Sequence, residues 1–336
     1  MRLLHVARNQ ADPILWSELF RRALADLGEF ELLEQGASLP DDDLLARLQQ
    51  ADVILGSHGT VIMPEDLVGN PGRVRYLCNL TGSVRNFVSL AHVEGWLPIT
   101  NWGDAPAPLI AEGAVCLLLA ALKDLHTQIL SMRNGGWALD ESRYGGSLFG
   151  LNVGIYGLGV TGRRFAKLLE PFGSVLRAYD PHVKEFPRHV TRVDSLEELF
   201  SRSEAVAIHV GLNDTTRGSV TAELLALMPR HGVLVNTARG DVVDQEALFA
   251  ELRTGRLRAA LDVLAGSDDV PPEHPARAWE NLILTGHAIA RDWPDNGQAP
   301  TKLLPLHNVC LDNLQRFQDG RPLRFVMDRR RFLLST

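Results

Sequence analysis

The stretch VGIYGLGVTGRR, residues 153 to 164, carries Gly157, Gly159 and Gly162 in the spacing GxGxxG. An apolar run, NVGIY, leads into it, and a helix-forming run, RRFAKLLEPFG, follows. In this setting the first glycine permits a tight turn, the second lets a pyrophosphate approach the backbone, and the third lets the helix pack on the strand. The free N–H groups of the helix start would hold the phosphates. The stretch therefore predicts a dinucleotide site on a βαβ unit.

An acidic residue follows these glycines at the distance that dinucleotide-binding folds require. Asp180 ends the apolar run SVLRAYD, 18 positions after Gly162 (180 − 162 = 18). Its carboxylate can accept hydrogen bonds from the adenosine ribose and would repel a 2′-phosphate, so we expect NAD rather than NADP. Arg177 and His182 are nearby positive side chains that would favour a phosphate instead.

Short apolar runs alternate with helix-period segments on both sides of this stretch. RLLHVA, FELLEQ, DVILGS, RYLCNL and LPITNW are predicted strands, and the alternation restarts after Leu151. This rhythm, in a chain of 336 residues, predicts an α/β protein with two doubly wound parallel-sheet domains. We expect one domain to comprise residues 1–100 plus 291–336, including a helix from about 304 to 320, and the other to comprise residues 101–290.

A long helix is predicted from Pro106 to Met132. Leu109, Val115, Leu118 and Leu122 recur at helical spacing on one broad apolar face. A face of this kind needs to be covered by another surface. Either the helix packs only on its own sheet, or it also meets a second subunit and forms a homodimer through residues 106–132.

Composition argues against several classes of protein. The net charge is −7 (34 − 41), whereas a nucleic-acid partner needs a basic face. Cys78, Cys116 and Cys310 show neither metal-ligand spacing nor a disulfide framework, so we expect no metal and a reducing compartment. The first residues lack the apolar core of a signal peptide, and the longest apolar run, AVCLLLAAL, is too short to span a bilayer. We therefore expect a cytoplasmic protein without membrane partners.

Three predicted strand ends after the glycine stretch carry polar side chains. NTARGDVVD presents Arg239, LDVLAGSDD presents acids, and NLILTGHAIA, residues 281 to 290, presents His287. Ligands of open α/β sheets bind beyond the carboxyl ends of the strands, where all three would lie. Considered separately, each residue has a structural explanation. His287 could be a buried, hydrogen-bonded imidazole, and Arg239 could form an ion pair that holds a loop. Together, and downstream of a dinucleotide motif, they favour a reaction site with a proton-transfer group and a substrate cation.

With these residues in place, the chain resembles the D-isomer-specific 2-hydroxyacid dehydrogenases over nearly its whole length. GLGVTGRRFAKLL, TAELLALMPRHGVLVNTARGDVVDQEAL and LRAALDV carry the resemblance. It implies a Rossmann-like NAD domain, a flavodoxin-like substrate domain and the interconversion of a small 2-hydroxy acid and its 2-keto acid. It further implies that Arg239 binds the substrate carboxylate and keto oxygen, and that His287 is the general acid/base.

The resemblance also implies where cofactor and substrate bind. Val160 and Thr161 would offer backbone to the pyrophosphate, and Asp262 would bond with the nicotinamide side. Gly82 and Ser83, in NLTGSVRN, would present backbone N–H groups to the substrate carboxylate. The full set implied for cofactor binding is Gly157, Gly159, Val160, Thr161, Gly162, Asp180, Val210, Gly211, Thr237, Ala238, Arg239, Asp262 and His287.

The chain departs from the family pattern after Asp262. Members usually read LDVFxxEP, with a glutamate that pairs with the histidine, whereas this chain reads LDVLAGSDDVPPEHP. Counting without a gap puts Ser267 at the glutamate position, one inserted residue puts Asp268 there, and Asp269 is a third option. The EHP string is displaced by one position, which favours the insertion. We therefore expect Asp268 to be the catalytic partner of His287.

Three further positions differ from the family pattern. Gly286 stands where proline is usual, which should loosen the turn before the histidine. Gly211 also replaces a common proline. Arg85 replaces a usual aspartate of the substrate loop, and it either alters which substrates fit or is a surface charge.

Two functions of different classes fit these residues. The first is an NAD-dependent oxidoreductase that acts on a small 2-hydroxy or 2-keto acid. The alternative is a catalytically weakened NAD(H)-binding sensor or interaction protein of the same fold, which the altered acid loop and Gly286 motivate. A sensor needs neither Arg239 nor His287, so their presence favours the enzyme. The sequence leaves the identity of the acid open.

Overall fold

Two sheets, each in a compact unit of its own, organise the chain. The computed structural model describes residues 1–95, 97–137, 145–266, 268–290 and 302–334. Unit 1 consists of Met1–Pro106 and Asp292–Thr336, and unit 2 consists of Ala107–Arg291.

Strands and helices alternate through the described residues. The strands are β1 (Arg2–Val6), β2 (Glu29–Leu33), β3 (Val53–Gly56), β4 (Tyr76–Asn79), β5 (Ile99–Thr100), β6 (Asn152–Tyr156), β7 (Val175–Tyr179), β8 (Val190–Arg192), β9 (Ala205–Ile208), β10 (Val233–Asn236), β11 (Arg258–Leu261) and β12 (Leu282–Leu284). The helices are α1 (Glu18–Ala25), α2 (Asp41–Gln49), α3 (Asp66–Gly69), α4 (Leu90–Gly95), α5 (Ala107–Leu122), α6 (Leu125–Arg133), α7 (Val160–Leu169), α8 (Leu196–Ser201), α9 (Ala222–Leu227), α10 (Gln245–Arg253), α11 (Pro305–Gln318) and α12 (Arg329–Leu334). Short 3₁₀ helices cover Gly36–Ser38, Glu170–Phe172, Gly240–Val242 and Pro275–Ala278.

The sheet of unit 1 has the strand order β2-β1-β3-β4-β5, and its strand pairs are parallel. This is the 2-1-3-4-5 order of flavodoxin-like folds. Residues of β3 and β4 are buried throughout, as expected for central strands with helices on both faces. The predicted C-terminal helix is present as α11, and it packs on α1 and β4 within unit 1.

The first boundary between the units falls a few residues after the predicted position. The sequence predicted divisions after residues 100 and 290, and the structure places them after Pro106 and Arg291. The loop that follows β5 stays with unit 1 because Asn101 Nδ2 donates a 2.7 Å hydrogen bond to the Gly82 carbonyl.

The sheet of unit 2 has the order β12-β11-β10-β9-β6-β7-β8, and its strand pairs are also parallel. Numbered from β6, this is the Rossmann order 3-2-1-4-5-6 with β12 added at one edge. β8 was not predicted, because it has three residues, two of them exposed, and so shows no apolar run. The predicted fold class, two doubly wound parallel sheets, is confirmed.

The helix predicted from 106 to 132 is two helices, which corrects that prediction. α5 ends at Leu122, and Asp124 adopts a left-handed conformation with φ of 52° that a continuing helix cannot contain. The Asp124 carboxylate is buried beside Arg258, with 3.2 Å between Oδ1 and Nη2, and it also accepts from Thr127 Oγ1 at 2.9 Å. These contacts hold the break. Within the described residues, none of the helices has both the length and the hydropathy to cross a membrane.

Cys78 and Cys310 are 232 positions apart in the chain but adjacent in the core of unit 1. Their Sγ atoms lie 3.5 Å apart, and both are free thiols. The packing of α11 on β4 brings them together, a proximity that residue spacing does not reveal. Cys116 is an exposed free thiol on α5 of unit 2.

Two histidines of unit 1 are buried as neutral imidazoles. His5 Nδ1 donates to the Leu55 carbonyl at 2.9 Å. His307 Nε2 donates to the Leu15 carbonyl at 2.8 Å, while its Nδ1 accepts from the Leu304 N–H at 3.1 Å. Burial lowers the pKa of each from 6.5 to about 4. In each case a second ring proton would be placed where no water can solvate it.

We predict that unit 1 loses stability as the pH falls from 6.5 towards 4. In this window the unfolded chain binds a proton at each imidazole and the folded chain does not, so the free energy of unfolding falls with pH. For His5 the loss reaches about 3 kcal/mol below pH 4. The free energy of unfolding is measured at pH 7.5 and 4.5 by urea unfolding, with tryptophan fluorescence as the signal.

His5→Asn isolates this contribution, because the asparagine amide can still donate to Leu55 but does not titrate. We expect a smaller pH dependence in this variant than in the wild type. The exposed His189→Asn control should keep the wild-type dependence. Identical pH dependence in His5→Asn and the wild type would contradict the prediction.

Candidate active site

The three glycines form the turn between β6 and α7, and each has a different structural reason. Gly157 has φ of 95°, and a Cβ there would lie 2.8 Å from the Val210 backbone nitrogen. A Cβ at Gly162 would lie 2.1 Å from the Gly157 carbonyl oxygen. The Cβ position of Gly159 has no atom within 4 Å, so this residue faces open space. Two glycines therefore serve close packing, and one keeps an approach to the backbone open.

The open glycine is the N-cap of α7, so the turn fits a pyrophosphate. Val160 and Thr161 begin the helix, and the N–H groups of a first helical turn have no intrahelical acceptor. These donors and the helix dipole favour an anion at this position. A side chain at Gly159 would stand between the anion and the donors.

Asp180 lies at the end of β7 and is tied to the glycine turn. Its Oδ2 accepts from the Leu158 N–H and its Oδ1 from the His182 N–H, both at 2.8 Å. A carboxylate has about four acceptor sites, so capacity remains for ribose hydroxyls. Arg177, which could have favoured a 2′-phosphate, donates instead to Asn152 Oδ1 at the amino end of β6. The preference for NAD over NADP stays a prediction.

The end of β9 adjoins the same turn. The Val210 backbone is the group that leaves no room for a side chain at Gly157. The Gly211 carbonyl accepts a hydrogen bond from Thr216 Oγ1 at 2.7 Å, which closes the loop after the strand. Both residues were predicted to contact the cofactor, and Val210 lies against Gly157 of the glycine turn.

Arg239 follows β10 in a turn shaped by Asn236, a residue that the sequence did not single out. Asn236 accepts from the Ala238 N–H at 3.0 Å and donates to the Arg239 carbonyl at 2.9 Å. Burial lowers the pKa of Arg239 and the carboxylate of Asp268 opposes that shift, but a guanidinium stays charged at neutral pH. Thr237 Oγ1 is buried and has no hydrogen-bond partner within the described residues, so it is available to a ligand.

Asp262 folds the turn that carries His287, a role the sequence did not predict. One oxygen, Oδ1, accepts from Thr285 Oγ1 at 2.6 Å, from the Ala288 N–H at 2.8 Å and from the Ile289 N–H at 3.0 Å. The Asp262 carbonyl accepts from the His287 N–H at 2.6 Å. The side chain is buried, so these bonds form in a low-dielectric environment.

His287 is paired with a carboxylate. Its Nδ1 lies 2.6 Å from Asp268 Oδ2, and the other carboxylate oxygen accepts from the Leu264 N–H at 2.5 Å. The imidazole is 57% exposed, so it can be reached from outside the protein. A carboxylate in this position holds the orientation of the ring.

Of the two acids among the three alternatives for the family glutamate, Asp268 is the one that contacts the histidine. Asp269 points elsewhere, because its Oδ1 pairs with Arg277 Nη2 at 2.9 Å. Ser267 lies outside the described residues. The contact agrees with the one-residue insertion inferred from the displaced EHP string.

The loss of the usual proline at Gly286 has a conformational reason. Gly286 and His287 have φ of 59° and 56°, and Asp268 has φ of 58°. Proline is restricted to φ near −65° and cannot occupy such a position. Proline therefore does not fit this turn, whose residues 285–289 are held by Asp262.

Gly82 and Ser83 follow β4 in unit 1, whereas the other predicted site residues lie in unit 2. Asn79 Nδ2 donates to the Thr81 carbonyl at 2.8 Å and to the Ser83 carbonyl at 3.2 Å. A Cβ at Gly82 would lie 2.8 Å from Trp102 Nε1, so only glycine fits there. The loop is thus fixed by its neighbours within unit 1.

Comparison with known proteins identifies a matching family. The model for the D-isomer specific 2-hydroxyacid dehydrogenase, NAD binding domain, matches residues 115–288. This range falls within unit 2 and contains the glycine turn, Arg239 and His287.

Two curated relatives and one solved structure extend the similarity. A D-3-phosphoglycerate dehydrogenase from Methanocaldococcus jannaschii is 31% identical over 79% of this chain, and the match spans 50% of that protein's length. A hydroxypyruvate reductase from Thermotoga maritima is 30% identical, with 76% of this chain and 84% of the relative covered. The TT0316 protein of Thermus thermophilus superimposes with a TM-score of 0.75 at 28% identity, covering 97% of this chain and 100% of that one.

We predict that Gly162→Ala and Gly159→Ala separate folding from cofactor binding. The first places a methyl group 2.1 Å from a carbonyl oxygen, so it should destabilise unit 2 by about 1–3 kcal/mol or more. The second meets no atom within 4 Å, so stability should be unchanged while NADH affinity falls about tenfold. Urea unfolding and NADH fluorescence titration measure the two effects, and the reverse pattern would refute the assignment.

Proposed function

The chain belongs to the D-isomer-specific 2-hydroxyacid dehydrogenase family, and we propose that it interconverts a small 2-hydroxy acid and its 2-keto acid with NAD(H). The observation that carries the proposal is the 2.6 Å contact between His287 Nδ1 and Asp268 Oδ2. A structural histidine on a loop needs no carboxylate partner, whereas a general acid/base gains from one.

Each part of the proposed reaction has a group in the chain. When bound, the nicotinamide ring supplies or accepts the hydride. The glycine turn and the first N–H groups of α7 would hold the pyrophosphate, and Asp180 the ribose. Thr237 Oγ1, buried without a partner among the described residues, is a candidate donor or acceptor towards the cofactor.

His287 would move the proton. Asp268 accepts a hydrogen bond from the Nδ1–H of His287, so the proton exchanged with substrate would be carried by Nε2. In reduction Nε2 donates to the carbonyl oxygen, and in oxidation it removes the hydroxyl proton. Asp268 would stabilise the charged ring during both steps.

Arg239 of unit 2 would bind the carboxylate of the substrate. A planar guanidinium can bond to a carboxylate oxygen and the keto oxygen together, which orients the carbonyl carbon. We propose separately that the backbone N–H groups of Gly82 and Ser83, in unit 1, bind a substrate carboxylate. The named activities of the two curated relatives make hydroxypyruvate and 3-phosphohydroxypyruvate suitable first substrates, beside glyoxylate and pyruvate.

The sensor alternative predicts tight NADH binding without turnover. The His287–Asp268 pair argues against it, because a dinucleotide sensor has no proton to transfer. A spectrophotometric assay with NADH and the panel of 2-keto acids separates the two functions. NADH binding with no oxidation across the panel would favour the sensor.

We further propose a homodimer formed through the α5–α6 region. Leu125, Ile129 and Met132 recur at helical spacing on α6 and are exposed, which is unusual for large apolar side chains on one face. A second copy of the chain would cover them. A cytoplasmic location stays a prediction.

We predict that His287→Ala lowers turnover about 100- to 10,000-fold, the usual contribution of a general acid/base. NADH affinity should change little, because the glycine turn is untouched. Asp268→Asn should also lower turnover, whereas Asp269→Asn, which loses only the pair with Arg277, should not. Equal rates in Asp268→Asn and Asp269→Asn would remove Asp268 from the site.

For the dimer, Ile129→Glu on α6 is compared with Leu168→Glu on α7. Both side chains are 43% exposed, so the two variants cost similar burial energy. A buried glutamate at a subunit interface is strongly unfavourable. Light scattering after size exclusion should show a dimer for the wild type and Leu168→Glu and a monomer for Ile129→Glu. A monomeric wild type would end the proposal.

A further inference from the structure

We propose that Arg331 is a positioning residue for the substrate loop of unit 1, residues 80–85, and that it acts through the side chain of Asn101. The substrate part of this proposal rests on the proposed function. The contacts that carry it lie within unit 1.

Three successive carbonyl groups of the substrate loop are held by two buried asparagines. Asn79 Nδ2 bonds to the carbonyls of Thr81 and Ser83, and Asn101 Nδ2 bonds to the carbonyl of Gly82 at 2.7 Å. In a trans peptide the C=O and the following N–H point in opposite directions. The asparagines therefore set the direction of the N–H groups as well.

The N–H groups of Gly82 and Ser83 are the result of this arrangement. Neither has an acceptor among the protein groups of the described residues, although Gly82 is buried. Adjacent backbone N–H groups that point to one side form a site for a carboxylate. Losing the hold on the Gly82 carbonyl would release the Ser83 N–H, since they belong to one peptide plane.

Arg331 determines which way the Asn101 amide faces. Its Nη2 lies 3.1 Å from Asn101 Oδ1, and the Gly103 N–H lies 3.1 Å from the same oxygen. A guanidinium and a backbone N–H are donors only, so they require the amide oxygen on their side. The amide nitrogen is then directed to the Gly82 carbonyl. The guanidinium is the charged, and hence stronger, of the two donors.

The C-terminal segment is itself fixed against the sheet of unit 1. Val326 forms an antiparallel bridge with Thr100, and Arg331 Nη1 donates to the Val326 carbonyl at 2.8 Å. The guanidinium of Arg85, at the end of the substrate loop, lies 5.8 Å from the ring centre of Phe332. Arg85 stands where the family usually has aspartate, and its contact with Phe332 joins the loop to this segment.

The experiment compares Arg331→Met, Arg331→Lys and the control Arg330→Met. Met keeps much of the apolar stem without a donor, Lys keeps a charged donor, and Arg330 is an exposed neighbour on the same helix. We expect Arg331→Met to raise the KM for the 2-keto acid about tenfold, because the charged hydrogen bond to Asn101 is lost together with the one to Val326. The KM for NADH should stay within about twofold, because the glycine turn lies in unit 2. Arg331→Lys should recover part of the loss, and Arg330→Met should match the wild type.

Hydrogen–deuterium exchange of the peptide covering residues 80–85 provides a readout that needs no turnover. Exchange should be faster in Arg331→Met and unchanged in Arg330→Met, because a loosened loop opens more often and exposes the Leu80 and Arg85 N–H groups, which are hydrogen-bonded in the wild type. If the wild type reduces none of the acids, the proposed function fails, and faster loop exchange in Arg331→Met alone still supports the positioning role. Unchanged exchange, or a KM for NADH that rises as much as that for the acid, would overturn the proposal.

Discussion

One carboxylate oxygen, Asp262 Oδ1, determines where the His287 imidazole of the candidate site lies. A non-glycine residue with φ of 56°, as at His287, carries about 1–3 kcal/mol of strain and persists only where its surroundings enforce it. Three donors of the 285–289 turn converge on Oδ1, and hydrogen bonds to a charged group contribute about 1.5–3 kcal/mol each. Two such bonds offset the strain. The buried acid therefore sets the position of His287 through the backbone.

The fold class of each unit could be predicted from the sequence, because the patterns that indicate it are formed by residues close together in the chain. A glycine turn between an apolar run and a helix is a property of about twenty consecutive residues, and the strand–helix alternation is equally local. The break at Asp124 was not readable. A left-handed aspartate depends on Arg258, more than a hundred residues away, and the sequence between Pro106 and Met132 is helical by any periodic measure. The neighbouring thiols Cys78 and Cys310 were hidden for the same reason.

In the candidate site, too, some features could be predicted from the sequence and others depend on the folded structure. Arg239 and His287 were singled out from the sequence because they follow strands downstream of a dinucleotide motif, and their catalytic roles stay predictions. The choice among Ser267, Asp268 and Asp269 could not be settled by counting, since the loop conformation decides which carboxylate reaches the ring. Asn236 was missed although its position held a signal: an asparagine that ends a strand just before a tight loop often folds that loop through its own side chain.

The discontinuity of unit 1 has a consequence for how the protein is made. Cys310, His307 and Leu314 of α11 fill the core against residues from the first hundred positions, whereas unit 2 is a single uninterrupted stretch. On the ribosome, the N-terminal strands emerge first but lack part of one hydrophobic layer until α11 has followed. The second unit can finish its own core in that interval. The strands of unit 1 that precede unit 2 in the chain are thus left longer without their full core, and therefore longer open to aggregation and chaperones.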